Sequence, residues 1–178
     1  MRTLGVAPTG ATRTFAPDQV IVSKTDLTGR ITYANEVFLD VAKFAESELM
    51  GQPHNVVRHP DMPRVVFKLL WDEIEAGREI FAYVKNLAKD GVAYWVFAHV
   101  TPTRRDGRIV SYHSNRRAPD PSSVSAIAPI YAAILDEERK HQHPVEAMRA
   151  GGELLGKALA AQNVTYDEFV WSITKVAP

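Results

Sequence analysis

A proline-rich segment, residues 52–63, constrains the fold of this chain most strongly. It reads QPHNVVRHPDMP and places three prolines, two histidines, an arginine and an aspartate between two apolar runs. Proline fixes φ at about −65° and removes a backbone donor, so the segment is predicted to be a stiff loop rather than a helix or a strand. A rigid loop with cationic and hydrogen-bonding side chains suits an anionic or heteroaromatic ligand.

The alternation of apolar segments and glycine-containing turns predicts an antiparallel sheet with helices on one face. Three polar turns, at residues 26–29, 89–91 and 105–107, separate β-prone segments. Asn35 is predicted to cap a first helix, Gly51 to end a second, and Asp61 to cap a third whose first turn contains Pro63. The resulting order, β-β-α-α-α-β-β-β, predicts an α+β fold with a five-stranded antiparallel sheet and a C-terminal helical extension.

Three parts follow from these patterns: an N-terminal arm (residues 1–18), an α+β domain (19–117) and a helical extension (118–178). In the extension, an apolar stripe at helical spacing is interrupted at residues 141–144, and Thr165 with Glu168 predicts a capping box for the last helix. These helices are expected to dock on the sheet, to form a homodimer or to engage a partner. The simpler alternative is that they cover the domain's own apolar surface.

Composition excludes several classes of protein. The chain has 178 residues, zero formal net charge and no cysteine. Zero net charge does not favour nucleic-acid binding, and no apolar run is long enough to span a bilayer, so a cytoplasmic protein is expected. Without cysteine there is no disulfide, thiolate zinc site, iron–sulfur cluster, cysteine nucleophile or flavin–cysteinyl adduct.

Residues 24–117 resemble the PAS sensor domain of bacterial aerotaxis receptors of the Aer type. The resemblance implies a PAS fold that holds FAD non-covalently and reports redox state or oxygen to a chemotaxis-type partner or a kinase. The motifs that carry it are TDL (25–27), AN (34–35), GQPHN (51–55), VRHPDMP (57–63), KN (85–86) and YWV (94–96).

The chemistry of the side chains and the resemblance together give the candidate site. Asn86 offers a donor and an acceptor to the pyrimidine edge of a flavin, or else caps an edge of the sheet. Arg58 suits a diphosphate or a flavin carbonyl. The family implicates the loop residues that correspond to Arg58, His59 and Asp61 in FAD retention, although His59 could only pin the loop and Asp61 could only cap a helix.

Further candidates are less specific to a cofactor. The family places a functional tryptophan at Trp71. The simpler alternative is that this side chain only packs in the hydrophobic core. His54 could contact adenine or ribose, or support the loop, and Asn35 is an N-cap first and a ligand contact second. Because Tyr94 and Trp95 are adjacent in a strand, one of them should face the pocket and the other a partner surface, together with Tyr112.

One position departs from the family. Aer-type domains carry a further tryptophan just before the strand that bears the asparagine, and this chain has Ile80 there. The loss of that ring is expected to change the potential or the retention of the flavin, with Phe81 as a partial substitute.

Three other functions are open at this stage. One is a cofactor-free PAS adaptor for protein–protein interaction, and another is haem binding through His59 or His113. A metal site would need His141 and His143, but these residues interrupt the helical pattern. No nucleophile motif or acid–base pair predicts an enzyme.

Overall fold

The computed structural model describes residues 5–175, so the ends of the predicted arm (residues 1–4) and of the predicted extension (residues 176–178) lie outside the described residues. The chain forms two compact units. The first contains the residues up to Pro60 together with Glu73–Ala118, and the second contains Asp61–Asp72 and the residues from Pro119 onward. Residues 61–72 thus group with the C-terminal helices, although they lie between two parts of the first unit in the sequence.

The first unit is built on one mixed sheet. Strands β2 to β6 pair antiparallel in the order β4-β5-β6-β2-β3, and β1 pairs in parallel with the start of β5. The five antiparallel strands confirm the predicted fold class, while the arm adds a sixth, parallel strand that the sequence did not indicate. The strands are β1 (Thr12–Arg13), β2 (Ile21–Thr25), β3 (Ile31–Ala34), β4 (Ile80–Leu87), β5 (Ala93–Arg105) and β6 (Arg108–Arg117).

Glycine-containing turns connect these strands, as predicted. Between β5 and β6, Asp106 and Gly107 both have positive φ, 50° and 77°, which matches the twist of the flanking strands. Gly91, between β4 and β5, has φ of 81°. A Cβ there would lie 2.7 Å from the backbone oxygen of Ala7, so the arm can run past this turn only because residue 91 is glycine.

The helices of the first unit precede β4, and α1 contacts β2 while α2 contacts β3. The proline-rich segment contains one short 3₁₀ helix, so the prediction that it has no helix is wrong: proline precedes the turn and leaves the next four residues free to form i→i+3 bonds. The helices are α1 (Glu36–Ala42), α2 (Glu46–Leu49) and the 3₁₀ helix (His54–Val57).

Strand alternation divides the sheet into two faces. The inner face is mostly buried, and Asn86, Tyr94 and Arg116 all belong to it. On the outer face, Phe81 stacks on His99 with ring centroids 4.2 Å apart. Phe81 therefore points away from the side of Ile80 and cannot replace a ring there, so that expectation is wrong. Three strands supply the inner-face residues: Ile80, Ala82, Val84 and Asn86 from β4; Tyr94, Val96, Ala98 and Val100 from β5; Tyr112, Ser114 and Arg116 from β6. Tyr112, which was expected to lie on an outward partner surface, is therefore buried inside.

The second unit is helical. Its elements are the first nine residues of α3 (Arg64–Glu75), α4 (Pro121–Arg139), α5 (Pro144–Gln162) and α6 (Tyr166–Ile173). The capping box at α6 is confirmed, because the side chain of Thr165 accepts from the Glu168 amide while the Glu168 carboxylate accepts from the Thr165 amide. Within residues 5–175, every helix is too short or too polar to cross a bilayer.

The start of α3 differs from the expectation in two ways. The helix begins at Arg64, so Pro63 precedes the first turn instead of lying inside it. Its first two amides, those of Arg64 and Val65, donate to the carboxylate of Glu138 on α4. Capping by a residue more than seventy positions away cannot be seen in the local sequence around Asp61.

Candidate functional site

Polar side chains converge on the inner face of the sheet, where apolar packing would be the default. Asn86 and Tyr94 are cross-strand partners, and Arg116 lies on the neighbouring strand β6. Their exposed fractions are 4%, 0% and 3%. A buried arginine on the core side of a strand is unusual unless its charge is paired, so its surroundings decide what this face can bind.

Neutral groups surround the Arg116 guanidinium. Its Nε–H donates to Ser114 Oγ at 3.0 Å, and an Nη2–H donates to Ser23 Oγ. The guanidinium carbon lies 4.7 Å from the centroid of the Phe38 ring, within the range of a cation–π contact. Among the described residues, no carboxylate pairs with it.

The remaining contact of Nη2 fixes the protonation state of a histidine. His54 Nε2 lies 3.1 Å from Arg116 Nη2 and 3.1 Å from Ser23 Oγ. Because a guanidinium only donates, Nε2 must accept, and His54 is neutral with its proton on Nδ1. His54 retains some exposed surface, but burial of its ring, followed by the charge of Arg116, lowers its pKa to about 3.

Two buried polar atoms of this face have no hydrogen-bond partner, the Nη1 of Arg116 and the phenol oxygen of Tyr94. Burial lowers the pKa of Arg116 to about 10 and raises the pKa of Tyr94. A buried cation without an anion and a buried hydroxyl without a partner each cost free energy. Both groups are hydrogen-bond donors, so together they suit a ligand with a carbonyl oxygen or a negative charge.

Asn86 is linked to the proline-rich loop by its backbone. It forms an isolated antiparallel bridge with Arg58, and the Arg58 amide also donates to the carbonyl of Asn55 at 3.0 Å. His59, the next residue, is 97% buried. The bridge therefore brings two of the predicted site residues, Asn86 and Arg58, together on the same unit.

Asn35 has a structural role that the sequence predicted. Its Oδ1 accepts from the amides of Phe38 (3.1 Å) and Val22 (2.9 Å), and its Nδ2 donates to the carbonyl of Val20 (2.8 Å). The N-cap is confirmed. A single N–H of the carboxamide is left for a ligand, so ligand contact by Asn35 stays a secondary prediction.

Three predicted residues do not belong to the inner face of the sheet in the first unit. Asp61 and Trp71 belong to the second unit, where Asp61 lies 3.8 Å from Arg139. Trp95 lies on the outer face of the sheet, opposite Lys85 on β4, so Tyr94 is the member of the pair that faces the interior. Trp95 is therefore not part of the inner-face cluster.

The residues that sequence reasoning missed are Arg116, Ser114 and Ser23. A signal did exist for β6: Tyr112, Ser114 and Arg116 share one face at a spacing of two, so an inward Tyr112 implies an inward arginine. No local pattern indicates that Ser23 and His54, which are distant in sequence, meet that arginine.

Surface depressions and metal sites do not compete with the inner face. An open depression of ≈ 530 Å³ lies beside α1 and includes Asn35 in its lining, but not Arg116 or Tyr94. Within residues 5–175, no group of histidines and carboxylates has metal-ligand geometry. His141, considered for such a site, follows the end of α4, and its Nε2 lies 3.6 Å from Oε1 of Glu137 on that helix.

Comparison with known proteins connects this architecture to a family. Residues 31–115 match the PAS fold model. The chain is 41% identical over 120 residues to the aerotaxis receptor of Escherichia coli (strain K12), covering 67% of this chain and 24% of that protein. It is 27% identical over 82 residues to blue-light-activated histidine kinase 1 of Erythrobacter litoralis, covering 46% of this chain and 23% of that protein. The chain thus spans about a quarter of the length of these relatives.

Solved structures support the same fold. One, from the study "Flavin Analogue Sheds Light on Light-Oxygen-Voltage Domain Mechanism", has a TM-score of 0.56 at 23% identity and covers 69% of this chain and 90% of that one. The PAS domain of a protein from Colwellia psychrerythraea has a TM-score of 0.52 at 20% identity, covering 56% of this chain and 85% of that one. With the sheet and helices described above, these structures show the PAS fold, and the family match together with the 41% identity to the aerotaxis receptor shows that the chain contains a PAS domain of the aerotaxis-receptor type.

Proposed function

We propose that this PAS domain is a sensor that holds FAD non-covalently on the inner face of its sheet. The observation that carries the proposal is the buried Arg116 guanidinium, which has no carboxylate partner and an unpartnered Nη1, on the same face as the unpartnered hydroxyl of Tyr94. These donors and the nearby Asn86 fit the carbonyl-rich edge of a flavin ring. The choice of FAD over other flavins rests on the resemblance of the loop to Aer-type domains.

The residues of the chain have separate roles in this proposal. Arg116 and Tyr94 donate to the ring, and the Asn86 carboxamide supplies a donor and an acceptor to the same edge. Arg58 and His59, on the loop that bridges to Asn86, hold the phosphates or a second carbonyl, with His54 beside them. Asp61 and Trp71, which belong to the second unit, and Trp95, on the outer face of the sheet, are secondary candidates, as is Asn35, whose carboxamide already has structural partners.

The same cluster explains how a change in charge would be sensed. A bound flavin supplies electron transfer, and its ring charge depends on its redox state. Arg116 lies where water is excluded, so its interaction with a charge change is stronger than it would be at the surface. Because neutral His54 accepts from the same nitrogen that contacts Ser23, a shift of Arg116 toward a more negative ligand would rearrange both bonds. Such a difference between two ligand states is what a conformational signal requires.

The proposed recipient of the signal is a chemotaxis-type protein or a kinase in the cytoplasm. This follows from the similarity to the aerotaxis receptor and to a histidine kinase, both of which are several times longer than the aligned region. A homodimer that transmits the signal through the helical extension (residues 118–178) is part of the same proposal, with residues 19–117 as the sensor.

A second function is favoured by a specific observation. Arg116 Nη1 and the Tyr94 hydroxyl are both closed off from solvent, so a ligand can reach them only if neighbouring side chains move. A domain that keeps this face closed would act as a cofactor-free adaptor. Phe38, whose ring contacts both the Arg116 guanidinium and the His54 ring, is one of these neighbouring side chains.

The absorbance spectrum of freshly purified protein distinguishes the two functions. The sensor predicts a yellow protein that is bleached by dithionite and releases FAD on denaturation. Colourless protein that takes up no FAD on reconstitution would support the adaptor. A Soret band would indicate haem, and steady oxidation of a pyridine nucleotide in the presence of an organic acceptor would indicate a flavoenzyme.

A further inference from the structure

The carboxylate of Glu138 joins two segments that are far apart in sequence. Glu138 lies near the end of α4 and is only 4% exposed. Its Oε2 accepts from the amide of Arg64 and its Oε1 from the amide of Val65, both at 2.8 Å. Each oxygen therefore satisfies one of the amides that would otherwise have no partner at the start of α3.

This arrangement compensates the buried charge without a cation. The first turn of a helix carries a partial positive charge, and a carboxylate that accepts two of its amides is stabilised there. The neighbouring contact of Arg139 with Asp61 is 3.8 Å long, and both side chains are more than half exposed, so it contributes much less. Glu138 thus accepts from the first two amides of α3 and helps to fix where the helix starts.

A glycine on α5 makes room for this carboxylate. A Cβ on Gly151 would lie 3.0 Å from both Cγ and Oε1 of Glu138, and 3.2 Å from Cγ2 of Ile134. The glycine is inside a helix, where it costs stability relative to alanine. Gly156 on the same helix has open space around it, so the crowding is specific to position 151. Three helices of the second unit thus meet at one buried carboxylate.

We propose that Glu138 is a positioning residue for the proline-rich loop. The chain runs from Arg58 and His59 through Pro60 to Pro63 directly into α3, and prolines transmit a displacement because their φ is fixed. By setting where α3 starts, Glu138 sets where the loop must end. The C-terminal extension thereby controls the loop that the proposed function assigns to FAD, and this part of the inference rests on that function.

The coupling has to act in both directions. If Glu138 favours the loop geometry that binds a flavin, then a bound flavin must favour the contact of Glu138 with α3. The C-terminal helices would then report the state of the ligand.

Hydrogen exchange on the full chain tests the inference first without any flavin. Glu138→Gln keeps the size of the side chain and one acceptor oxygen, but it loses the charge and one amide bond. We expect the backbone amides of residues 54–62 and of the first turn of α3 to exchange about fivefold faster than in wild type. This factor corresponds to the free energy that the loss of one helix cap costs. Glu137→Gln removes the adjacent, partly exposed carboxylate, which pairs with Lys140, and should leave both segments unchanged.

A urea titration of each variant then separates a change in positioning from global loss of structure. If Glu138→Gln speeds exchange only in the first turn of α3 and not at residues 54–62, Glu138 is a local cap and the inference is overturned. Equal acceleration everywhere, with a matching loss of global stability, would overturn it as well.

The same measurement with added FAD tests the second direction. We expect FAD to slow exchange at residues 54–59 and in α4 of the wild type, and the effect in α4 to disappear in Glu138→Gln. Protection of the loop without protection of α4 would contradict the coupling but leave FAD binding intact. Absence of protection everywhere would contradict the proposed function, and the flavin-free comparison would still decide the role of Glu138.

Discussion

Replacing Arg116 by methionine should separate the cost of its buried charge from its use in binding. Methionine keeps an unbranched apolar stem against Phe38 but removes the cation and its donors. Burial lowers the pKa of Arg116 from 12.5 to about 10. At about 1.4 kcal/mol per unit, the charged form is penalised by about 3 kcal/mol in the ligand-free fold.

The substitution also loses favourable contacts. Removal of the cation–π contact and the bond to Ser114 costs about 2 kcal/mol together. Ser23 and His54 remain bonded to each other at 3.1 Å, so neither is left without a partner. The balance predicts that the ligand-free Arg116→Met protein is as stable as wild type, or more stable by about 1 kcal/mol. FAD affinity should fall at least about tenfold, because the ligand loses a charge-assisted donor.

Urea denaturation of protein stripped of flavin and titration with FAD measure the two effects. Arg117→Met is the matched control: Arg117 is the next residue on β6 and is exposed, so the same change should alter neither quantity. Loss of more than about 2 kcal/mol of ligand-free stability would mean that the chain itself compensates the cation, and the reasoning would fail. Unchanged FAD affinity would remove Arg116 from the site.

Three other perturbations test separate parts of the structure. In the folded protein the pKa of His54 is about 3, below its ordinary value of 6.5. Between these two pH values the unfolded chain binds a proton at His54 and the folded chain does not, so the free energy of unfolding should fall as the pH drops from about 6.5 toward 3. Denaturation curves measured at several pH values should show the free energy of unfolding falling by at most about 1.4 kcal/mol per pH unit because of His54, and His54→Gln should remove this contribution. Asn86→Ala should shift the flavin absorbance or weaken FAD binding in a titration, and a spectrum and affinity equal to wild type would exclude Asn86 from the site. Gly151→Ala should destabilise the protein by about 1–3 kcal/mol because the new methyl group displaces Glu138. Gly156→Ala, on the same helix but in open space, should stabilise the protein by about 0.5–1 kcal/mol. Equal changes in the free energy of unfolding by urea would contradict the crowding at position 151.

Features set by local chemistry were predictable from the sequence. The turn at Asp106–Gly107 needs two residues that tolerate positive φ, and the caps at Asn35 and Thr165 need short side chains with an acceptor oxygen. Each is decided within a few residues of the chain. The order of strands and helices follows from them, and so does the fold class.

Features set by pairing between distant residues were not predictable. The start of α3 depends on Glu138, and nothing near Pro63 in the sequence indicates a carboxylate from α4. The grouping of residues 61–72 with the C-terminal helices also depends on contacts between distant residues, although the sequence places those residues inside the predicted sensor domain. The prediction that Phe81 substitutes for the tryptophan missing at position 80 was wrong for another reason. Adjacent residues of a strand face opposite sides of the sheet, so Phe81 cannot occupy the place of a side chain at position 80.

Arg116 shows why a motif search finds the loop but not the chemistry behind it. The loop is recognised because its residues are contiguous, whereas the environment of the guanidinium is assembled from β2, β6, α1 and the 3₁₀ helix. All its hydrogen-bond partners are neutral, because burial, followed by the charge of Arg116, lowers the pKa of His54. A carboxylate at any of these positions would satisfy the arginine permanently and leave it indifferent to a ligand. Because its partners are neutral, the charge of Arg116 is not compensated within the protein. A bound ligand with a negative charge or a carbonyl oxygen is therefore strongly stabilised by this guanidinium.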